Sequence, residues 1–404
     1  MIFKFMWRNL WRNRRRTLIT ASSVAFSVFF AITMHSFKNG IFNHLINNLI
    51  GTYFGPVQIH AKGYWDEQVI DSSFPFTDSL RSSLDHFSDS IGFIPRLETF
   101  ILASAGEKSK GAMLVGTDLQ SEKNFLSWTQ RLIDGRWPAP DEEAVILGEG
   151  IAKKLKLTAG DTLVLFGQGY QGTLAAGKYH ITGLVRLPSP QMNDYCVFMP
   201  LRSAAYLLNA DNRITTLVAI PLHNVETESL LLTVKRMFLQ NFEIMEWPDL
   251  LPEISHHIEA DTINTYIFTG VLYMIIAFGF LGTLMMMMAE RKPEFGMLMA
   301  IGMKKKQLAL LLTGESLLLS VMGVMAGIAL SYGVVTWFAI HPIALKGSLG
   351  QAYEQFGFEP VLPTEWSVRT VVIQAGIVCF IAFCSALYPV LSIFRLKEIE
   401  AIKK

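Results

Sequence analysis

Cysteine is scarce in this 404-residue sequence, and the three that occur offer no covalent or metal framework. Cys196 lies alone in a polar region, while Cys379 and Cys384 are five residues apart in an apolar run and would point to different faces of a helix. The spacing argues against a disulfide scaffold and against a cysteine-based metal site. It leaves the cellular compartment open.

Nucleotide-binding and hydrolase motifs are also missing. The P-loop pattern G-x-x-x-x-G-K-[ST] does not occur, and neither G-x-S-x-G nor H-E-x-x-H is present. We therefore predict no catalytic residue, no bound cofactor and no ATP hydrolysis by this chain alone. Glu253 and His257 are spaced i, i+4, but no third ligand is specified nearby, so we predict no metal site.

Apolar residues dominate the composition. They make up 51% of the chain, and the mean hydropathy is +0.33. Four long runs carry almost no charge, and about 20 apolar residues suffice to span a bilayer as a helix. These runs predict an α-helical membrane protein with four transmembrane helices.

Six bases and two tryptophans, Trp7 and Trp11, precede the first run; the bases are Lys4, Arg8, Arg12, Arg14, Arg15 and Arg16. This pattern is typical of a cytoplasmic anchor with tryptophan at the headgroup level. Nucleic-acid binding is the alternative for such a basic segment, and a cleaved signal peptide is the alternative for the run. The run is long for a signal peptide and lacks a clear A-x-A site, which favours a retained span. The helical pattern continues towards Leu49 and predicts a stalk.

The distribution of bases fixes the orientation of the four spans. The N-terminal segment has six bases, the segment from Glu290 to Lys306 has five and the C-terminal tail has four, whereas the segment from Phe338 to Val368 has one. By the positive-inside rule the first three lie in the cytoplasm. The large region between the first two spans must then lie outside.

These assignments divide the chain into nine predicted parts: a basic cytoplasmic N-terminus (1–16), a first span (17–36), an external domain with stalk helices (37–262), a second span (263–289), a cytoplasmic coupling helix (290–307), a third span (308–337), an external loop (338–368), a fourth span (369–394) and a cytoplasmic tail (395–404). Strand patterns alternate with helix patterns in the external domain, for example Thr162 to Phe166 and Leu201 to Leu208. The domain is therefore predicted to be of the α+β class.

The segment between the second and third spans has a helical stripe. Phe295, Leu298, Met299 and Gly302 fall at i, i+3, i+4 and i+7, Pro293 suits a first helical turn, and Gly302 suits a helix end. One interpretation is a docking helix whose apolar stripe binds a cytoplasmic partner. The other is a solvated loop held inside by its positive charge.

Two features of the third span stand out. Glu315 is its only ionisable residue, and an intramembrane carboxylate is a functional candidate, although pairing with a nearby base is the favoured interpretation. Gly323, Gly327 and Ser331 form a small-residue stripe that predicts close helix packing.

The order of parts resembles the permease family that includes MacB, LolC, LolE and FtsX, the type VII ABC systems. The central segment matches the family pattern E-R-x-x-E-x-G-x-L-x-A-x-G at seven positions, which are Glu290, Arg291, Glu294, Gly296, Leu298, Ala300 and Gly302. Glu315, Gly323 and Gly327 match the third span of the family. Phe295 stands where the family commonly has an aliphatic residue.

The resemblance implies an ABC permease in the bacterial inner membrane, with its external domain in the periplasm. A separate cytosolic ATPase that binds ATP and magnesium would dock on residues 290–302, and a second permease, identical or related, would complete a dimer. Movement of the ATPase would be transmitted outward to extract amphiphilic cargo. Lipoprotein release is the expected role, with a periplasmic carrier or outer-membrane component as a further partner. An FtsX-like regulator of a periplasmic hydrolase and a MacB-like efflux or peptide exporter are the alternatives, and no nucleic acid is expected.

Overall fold

The computed structural model describes residues 2–12, 14–126, 128, 131–187, 189–222, 226–238, 242–355 and 360–395. It divides into two compact units. Unit 1 comprises Met1–Phe42, His257–Ile343 and Val361–Lys404, and unit 2 comprises Asn43–His256 and Ala344–Pro360. Of the predicted tail 395–404, residues 396–404 lie outside the described residues.

The helices, numbered in chain order, are α1 (Ile2–Arg12), α2 (Arg14–Leu49), α3 (Tyr64–Glu67), α4 (Asp78–Asp85), α5 (Leu119–Phe125), α6 (Glu149–Leu155), α7 (Pro190–Tyr195), α8 (Leu201–Leu208), α9 (Thr227–Met237), α10 (Trp247–Leu250), α11 (Pro252–Ala300), α12 (Lys305–Ile340), α13 (Ser348–Gln355) and α14 (Val368–Arg395). A π-helical turn, Ile50–Phe54, follows α2 directly.

The strands are β1 (Val57–Ala61), β2 (Phe74–Pro75), β3 (Ile91–Ala105), β4 (Lys108–Thr117), β5 (Leu132–Gly135), β6 (Ala144–Gly148), β7 (Thr162–Gln168), β8 (Leu174–Val185), β9 (Cys196–Pro200), β10 (Arg213–Ile214), β11 (Thr216–Pro221), β12 (Phe242–Glu246), β13 (Ile343–Ala344) and β14 (Val361–Leu362).

Among the residues that the structure describes, four helices are long and apolar enough to cross a membrane, and they are found in Thr17–Phe54, Pro252–Ala300, Lys305–Ile340 and Val368–Phe394. Within unit 1 these helices share a core of buried aliphatic and aromatic side chains, among them Val28, Ile276, Leu319 and Val378. The first helix continues to Leu49, as the stalk prediction requires. One apolar helix before a mixed domain and three after it confirm the predicted fold class.

Unit 2 is built on one ten-stranded sheet with the order β12-β1-β11-β3-β4-β9-β6-β8-β5, in which β7 pairs with both β3 and β8. Most neighbouring strands are antiparallel, and the pairs β4–β9 and β6–β8 are parallel. Because side chains alternate between the faces of a strand, the sheet supports separate cores on its two sides. One core contains Leu97, Leu147 and Leu208, and the other contains Ile94, Trp128 and Phe198.

The sequence predicts several of these elements closely. The helix predicted at Leu201 to Leu208 has those bounds, and Asn209 ends it in the left-handed conformation. The strand predicted at Thr162 to Phe166 extends to Gln168. The prediction of Cys196 in a polar setting is wrong, because β9 is buried along its whole length.

Candidate coupling site

The predicted coupling segment is the last part of a continuous helix. Helix α11 runs from Pro252 to Ala300 with Pro293 in its interior, so the expectation that Pro293 lies in the first turn of a helix is wrong. No capping residue precedes Pro293 to start a new helix. A proline inside a helix removes one backbone hydrogen bond and crowds the carbonyl of residue i−4, at a cost of about 3 kcal/mol, yet the helix continues through Pro293. The predicted second span and the first part of the predicted coupling segment therefore belong to one continuous helix.

Gly302 ends this helix with a Schellman motif. Its φ of 103° is left-handed, its N–H donates to the carbonyl of Met299, and the N–H of Met303 donates to the carbonyl of Leu298. Met303 and Leu298 also pack against one apolar cluster, which contains the buried side chains of Phe295 and Met299. The chain then turns into α12 at Lys305, and α11 and α12 form a helical hairpin.

The predicted docking stripe faces inward. Phe295 is completely buried and Met299 nearly so, in a cluster with Leu308 and Leu312 of α12 and Ile393 of α14. Leu298 is partly buried against that cluster. The periodicity correctly marks one apolar face of α11. Side chains of α12 and α14 cover that face, so it is not available to a partner protein.

The opposite face of the same turns is exposed and partly apolar. Met297 is 62% exposed and Ile301 is 77% exposed, and with Pro293 they recur at i, i+4 and i+8. Lys292, Lys304 and Lys306 are exposed on the same segment. Ala300 and Gly302 of the predicted site are exposed, while Gly296 is buried. A surface of this kind suits a protein partner.

Ion pairs join this segment to two other helices of unit 1. Arg291 Nη1 donates to Glu315 Oε2 at 2.5 Å, and Arg291 Nε donates to Glu294 Oε2 at 3.2 Å. Arg12 Nη2 of α1 donates to Glu294 Oε1 at 2.6 Å. Glu315 is fully buried, so its charge needs this partner. These groups and Glu290 line a cavity of about 240 Å³.

Sequence reasoning found Glu315 but not its partner. The sequence suggests lysines 304–306 as the partner bases, because they lie close to Glu315 along the chain. In the structure the partner is Arg291, which precedes the turn at Gly302 by about as many residues as Glu315 follows it. A helical hairpin with its turn at Gly302 brings these two positions to the same level, and that symmetry could have identified Arg291 as the partner. Nothing in the sequence points to Arg12 as the partner of Glu294, since 282 residues separate them. In the part of the chain that the structure describes, no cluster of three potential metal ligands occurs.

Gly323 and Gly327 lie directly against helix α2. A Cβ atom at Gly323 would be 2.6 Å from Val24 Cβ and 2.8 Å from the Ala21 carbonyl oxygen, and one at Gly327 would be 2.7 Å from the Ala25 carbonyl oxygen. Ser331 is buried one turn later and bonds to the carbonyl of Ile328. Glycine thus lets two helix backbones approach closely.

Alanine at Gly323 is expected to lower the free energy of unfolding of unit 1 by about 1–3 kcal/mol, because the new methyl group meets fixed backbone. Gly333 of the same helix is a matched control, since a Cβ there meets no atom within 4 Å. Thermal unfolding of the detergent-purified chain measures both variants. Equal midpoints for Gly323→Ala and Gly333→Ala would contradict the close contact.

Two family models match the chain. Residues 17–230, more than half of the sequence, match the MacB-like periplasmic core domain, and residues 266–397 match the FtsX-like permease C-terminal domain. No curated protein matches.

Three solved structures are similar to about half of the chain. The periplasmic region of MacB from Actinobacillus actinomycetemcomitans aligns with a TM-score of 0.37 and 17% identity, over 54% of this chain and 98% of that one. The extracellular domain of the ABC-type transporter YknZ from Gram-positive bacteria aligns with 0.33 and 10%, over 48% and 100%. A domain of a permease protein from Porphyromonas gingivalis aligns with 0.30 and 12%, over 48% and 88%.

The family assignment rests on the two sequence models, which follow each other along the chain in the order of the folded parts. The first covers helix α2 and most of the sheet-bearing domain, and the second covers the three later apolar helices. The chain therefore belongs to the ABC permeases of the MacB and FtsX type.

Proposed function

We propose that this chain is the permease subunit of an ATP-driven complex in the bacterial inner membrane, worked by a separate cytosolic ATPase that binds ATP and magnesium. The observation that carries the proposal is the exposed face of Met297 and Ile301 on the last turns of α11. Helix faces of this kind bind in grooves of partner proteins through residues spaced i, i+4 and i+8. This face replaces the stripe of Phe295, Leu298 and Met299 as the proposed dock.

The ion pairs of unit 1 support transmission of a push on this face. Arg291 connects α11 to α12 through Glu315, and Glu294 connects α11 to α1 through Arg12. A displacement of the end of α11 therefore moves neighbouring helices with it, and a helix is a stiff element that carries displacement along its axis. This supports mechanotransmission as the mode of action.

For the cargo we propose amphiphilic molecules taken from the periplasmic side, with lipoprotein release as the leading role. A second permease subunit and a periplasmic carrier or outer-membrane component complete the proposed assembly. MacB-like efflux or peptide export and FtsX-like regulation of a hydrolase remain the alternatives. Stimulation of ATP turnover by triacylated lipoprotein would favour release, and stimulation by a periplasmic hydrolase alone would favour regulation.

Aspartate at Met297 is expected to lower recovery of the ATPase at least tenfold when the tagged chain is purified from native membranes, because a charge is placed in the proposed apolar contact. The measurements are the yield of a co-purified protein with a P-loop and the ATP turnover of the eluate. Tyr206→Asp is the matched control, since Tyr206 is an exposed apolar residue of unit 2. Full recovery with Met297→Asp, or no ATPase with the unaltered chain, would refute the proposal.

A further inference from the structure

One face of strand β3 passes from the interior of unit 2 to its surface. Alternate residues of a strand share a face, and here Ile94, Arg96 and Glu98 are buried whereas Phe100 is 58% exposed and Leu102 is 41% exposed. A buried carboxylate is thus followed along one face by exposed apolar side chains. Glu98 and Phe100, where the buried part of this face gives way to the exposed part, both line a cavity of about 220 Å³.

The buried charges beside this cavity do not balance. Arg96 Nε and Nη2 donate to the two oxygens of Glu122 at 2.7 and 3.0 Å, a bidentate pair. Its remaining nitrogen, Nη1, lies 3.8 Å from Glu98 Oε1 and makes no hydrogen bond to any residue that the structure describes. One guanidinium therefore faces two carboxylates, and Arg96 is committed to Glu122. Counted as formal charges, one guanidinium and two carboxylates sum to one negative charge, and Glu98 is the carboxylate without a close guanidinium partner.

Neighbouring polar groups orient Glu98 without neutralising it. The Tyr53 hydroxyl donates to Oε1 at 2.8 Å and the Thr216 hydroxyl donates to Oε2 at 3.0 Å. Burial lowers the pKa of His60 and raises the pKa of Tyr53, so both stay uncharged near neutral pH. A carboxylate accepts about four hydrogen bonds, and Glu98 therefore has acceptor capacity left.

Aromatic rings form much of the wall of the same cavity. Together with Glu98, Met113 and other side chains, it is lined by Tyr53, Phe54, Tyr64, Trp65, Phe100 and Tyr195. Aromatic faces attract cations, and rings grouped around a carboxylate are a suitable setting for an ammonium group.

The cavity opens onto an apolar surface. Phe100 and Met113 line the cavity and are register partners on β3 and β4. Leu102 of β3 is the register partner of Phe166 of β7, and both are exposed, as is Val164 on the same face of β7. A contiguous exposed apolar face on a sheet signals a binding surface.

We propose that unit 2 binds a cationic amphiphile, with its ammonium group at Glu98 and its apolar chain on the face formed by Phe100, Leu102 and Phe166. Charge complementarity selects the ammonium group, and continuity of the cavity with the apolar face selects an attached chain. An anionic amphiphile is repelled by Glu98, and a small ammonium ion lacks the apolar contact. That this ligand is cargo rests on the proposed function; the binding site itself does not.

Hexylamine is the first probe, titrated calorimetrically into the full-length chain in detergent, with hexanol and methylamine as matched ligands. Hexylamine is expected to bind more tightly than either, and Glu98→Gln is expected to weaken it at least tenfold. Leu102→Ala, which changes the apolar face outside the cavity lining, is expected to weaken hexylamine but not methylamine. Tyr206→Ala, a change at an exposed residue outside the cavity, is expected to leave binding unchanged. A titration of each ligand into detergent without protein is subtracted to remove the heat of partition into the micelle.

Equal binding of hexylamine and hexanol, or equal binding by the unaltered chain and Glu98→Gln, would overturn the site. If Glu98→Gln fails to fold, the comparison of hexylamine with hexanol and the exposed Leu102→Ala variant still decide the matter. None of these titrations involves the ATPase, so their failure leaves the docking proposal intact, and loss of docking leaves the titrations intact.

Two natural sources carry an ammonium group joined to apolar chains, a zwitterionic lipid and a lipidated protein with a free amino terminus, and competition against hexylamine separates them. Displacement by phosphatidylethanolamine but not by phosphatidylglycerol would identify a lipid headgroup. Displacement by a diacylated lipopeptide with a free amino terminus, but not by its N-acylated counterpart, would identify a lipidated protein. Failure of both to displace hexylamine would overturn the assignment of the site to a membrane amphiphile.

Discussion

Alanine at Glu122 is expected to lower the free energy of unfolding of unit 2 by about 3–5 kcal/mol, because it leaves the fully buried guanidinium of Arg96 without its bidentate partner. Glu98 does not replace that partner, since it lies 3.8 Å away and is held by Tyr53 and Thr216. Burial opposes the charge on Arg96, and in the unaltered chain Glu122 more than offsets it, so the pKa of Arg96 is raised. The substitution removes that compensation, and a guanidinium does not lose its proton in proteins.

The effect is measured by unfolding the full-length chain in denaturant, with hydrogen exchange in the peptide that covers β3 as the readout. Glu142→Ala is the matched control, because Glu142 also accepts two bonds from one arginine, Arg136, but that arginine is exposed. Exposed pairs contribute little to stability. A similar loss in Glu122→Ala and Glu142→Ala would contradict the role assigned to the buried pair.

Alanine at Phe295 is expected to lower the free energy of unfolding of unit 1 by about 3 kcal/mol, because it leaves a cavity among Met299, Leu308 and Leu312. Met297→Ala, two residues away on the exposed face, is expected to leave stability nearly unchanged. The thermal unfolding midpoint of the detergent-purified chain measures both.

This pair of variants also separates packing from docking. Phe295→Ala should lose stability, whereas Met297→Ala should keep stability and weaken ATPase recovery. If Met297→Ala were the destabilising change and Phe295→Ala the neutral one, the two faces of α11 would have been assigned the wrong way round.

Hydropathy and charge counts were sufficient to predict the four spans and the long first helix, because both depend on composition over many residues. The end of α11 was equally predictable, since Gly302 is the residue type that a left-handed cap prefers. The signal at Gly302 depends on the backbone conformation of one residue and needs no distant contact.

The environment of an apolar stripe was not predictable from its period. Phe295 and Met299 mark a face of α11, but whether a partner or α12 covers that face depends on the fold. The strand pair β3–β4 was missed in the same way, although the turn at Gly106, with φ of 57°, lies in a sequence typical of hairpins. Arg96 and Glu122 meet only because α5 packs on β3, and no local pattern announces that contact.

Helix α2 contributes its last turns to the interior of unit 2. Leu45 and Leu49 are buried there with Tyr53, Ile94 and Phe198. A chimera that grafts this domain onto a related permease should therefore be spliced near Asn43 and His256. A splice at Val57, where the first strand begins, would replace Leu45 and Leu49 with residues of the other permease. The grafted domain would then lose part of its hydrophobic core.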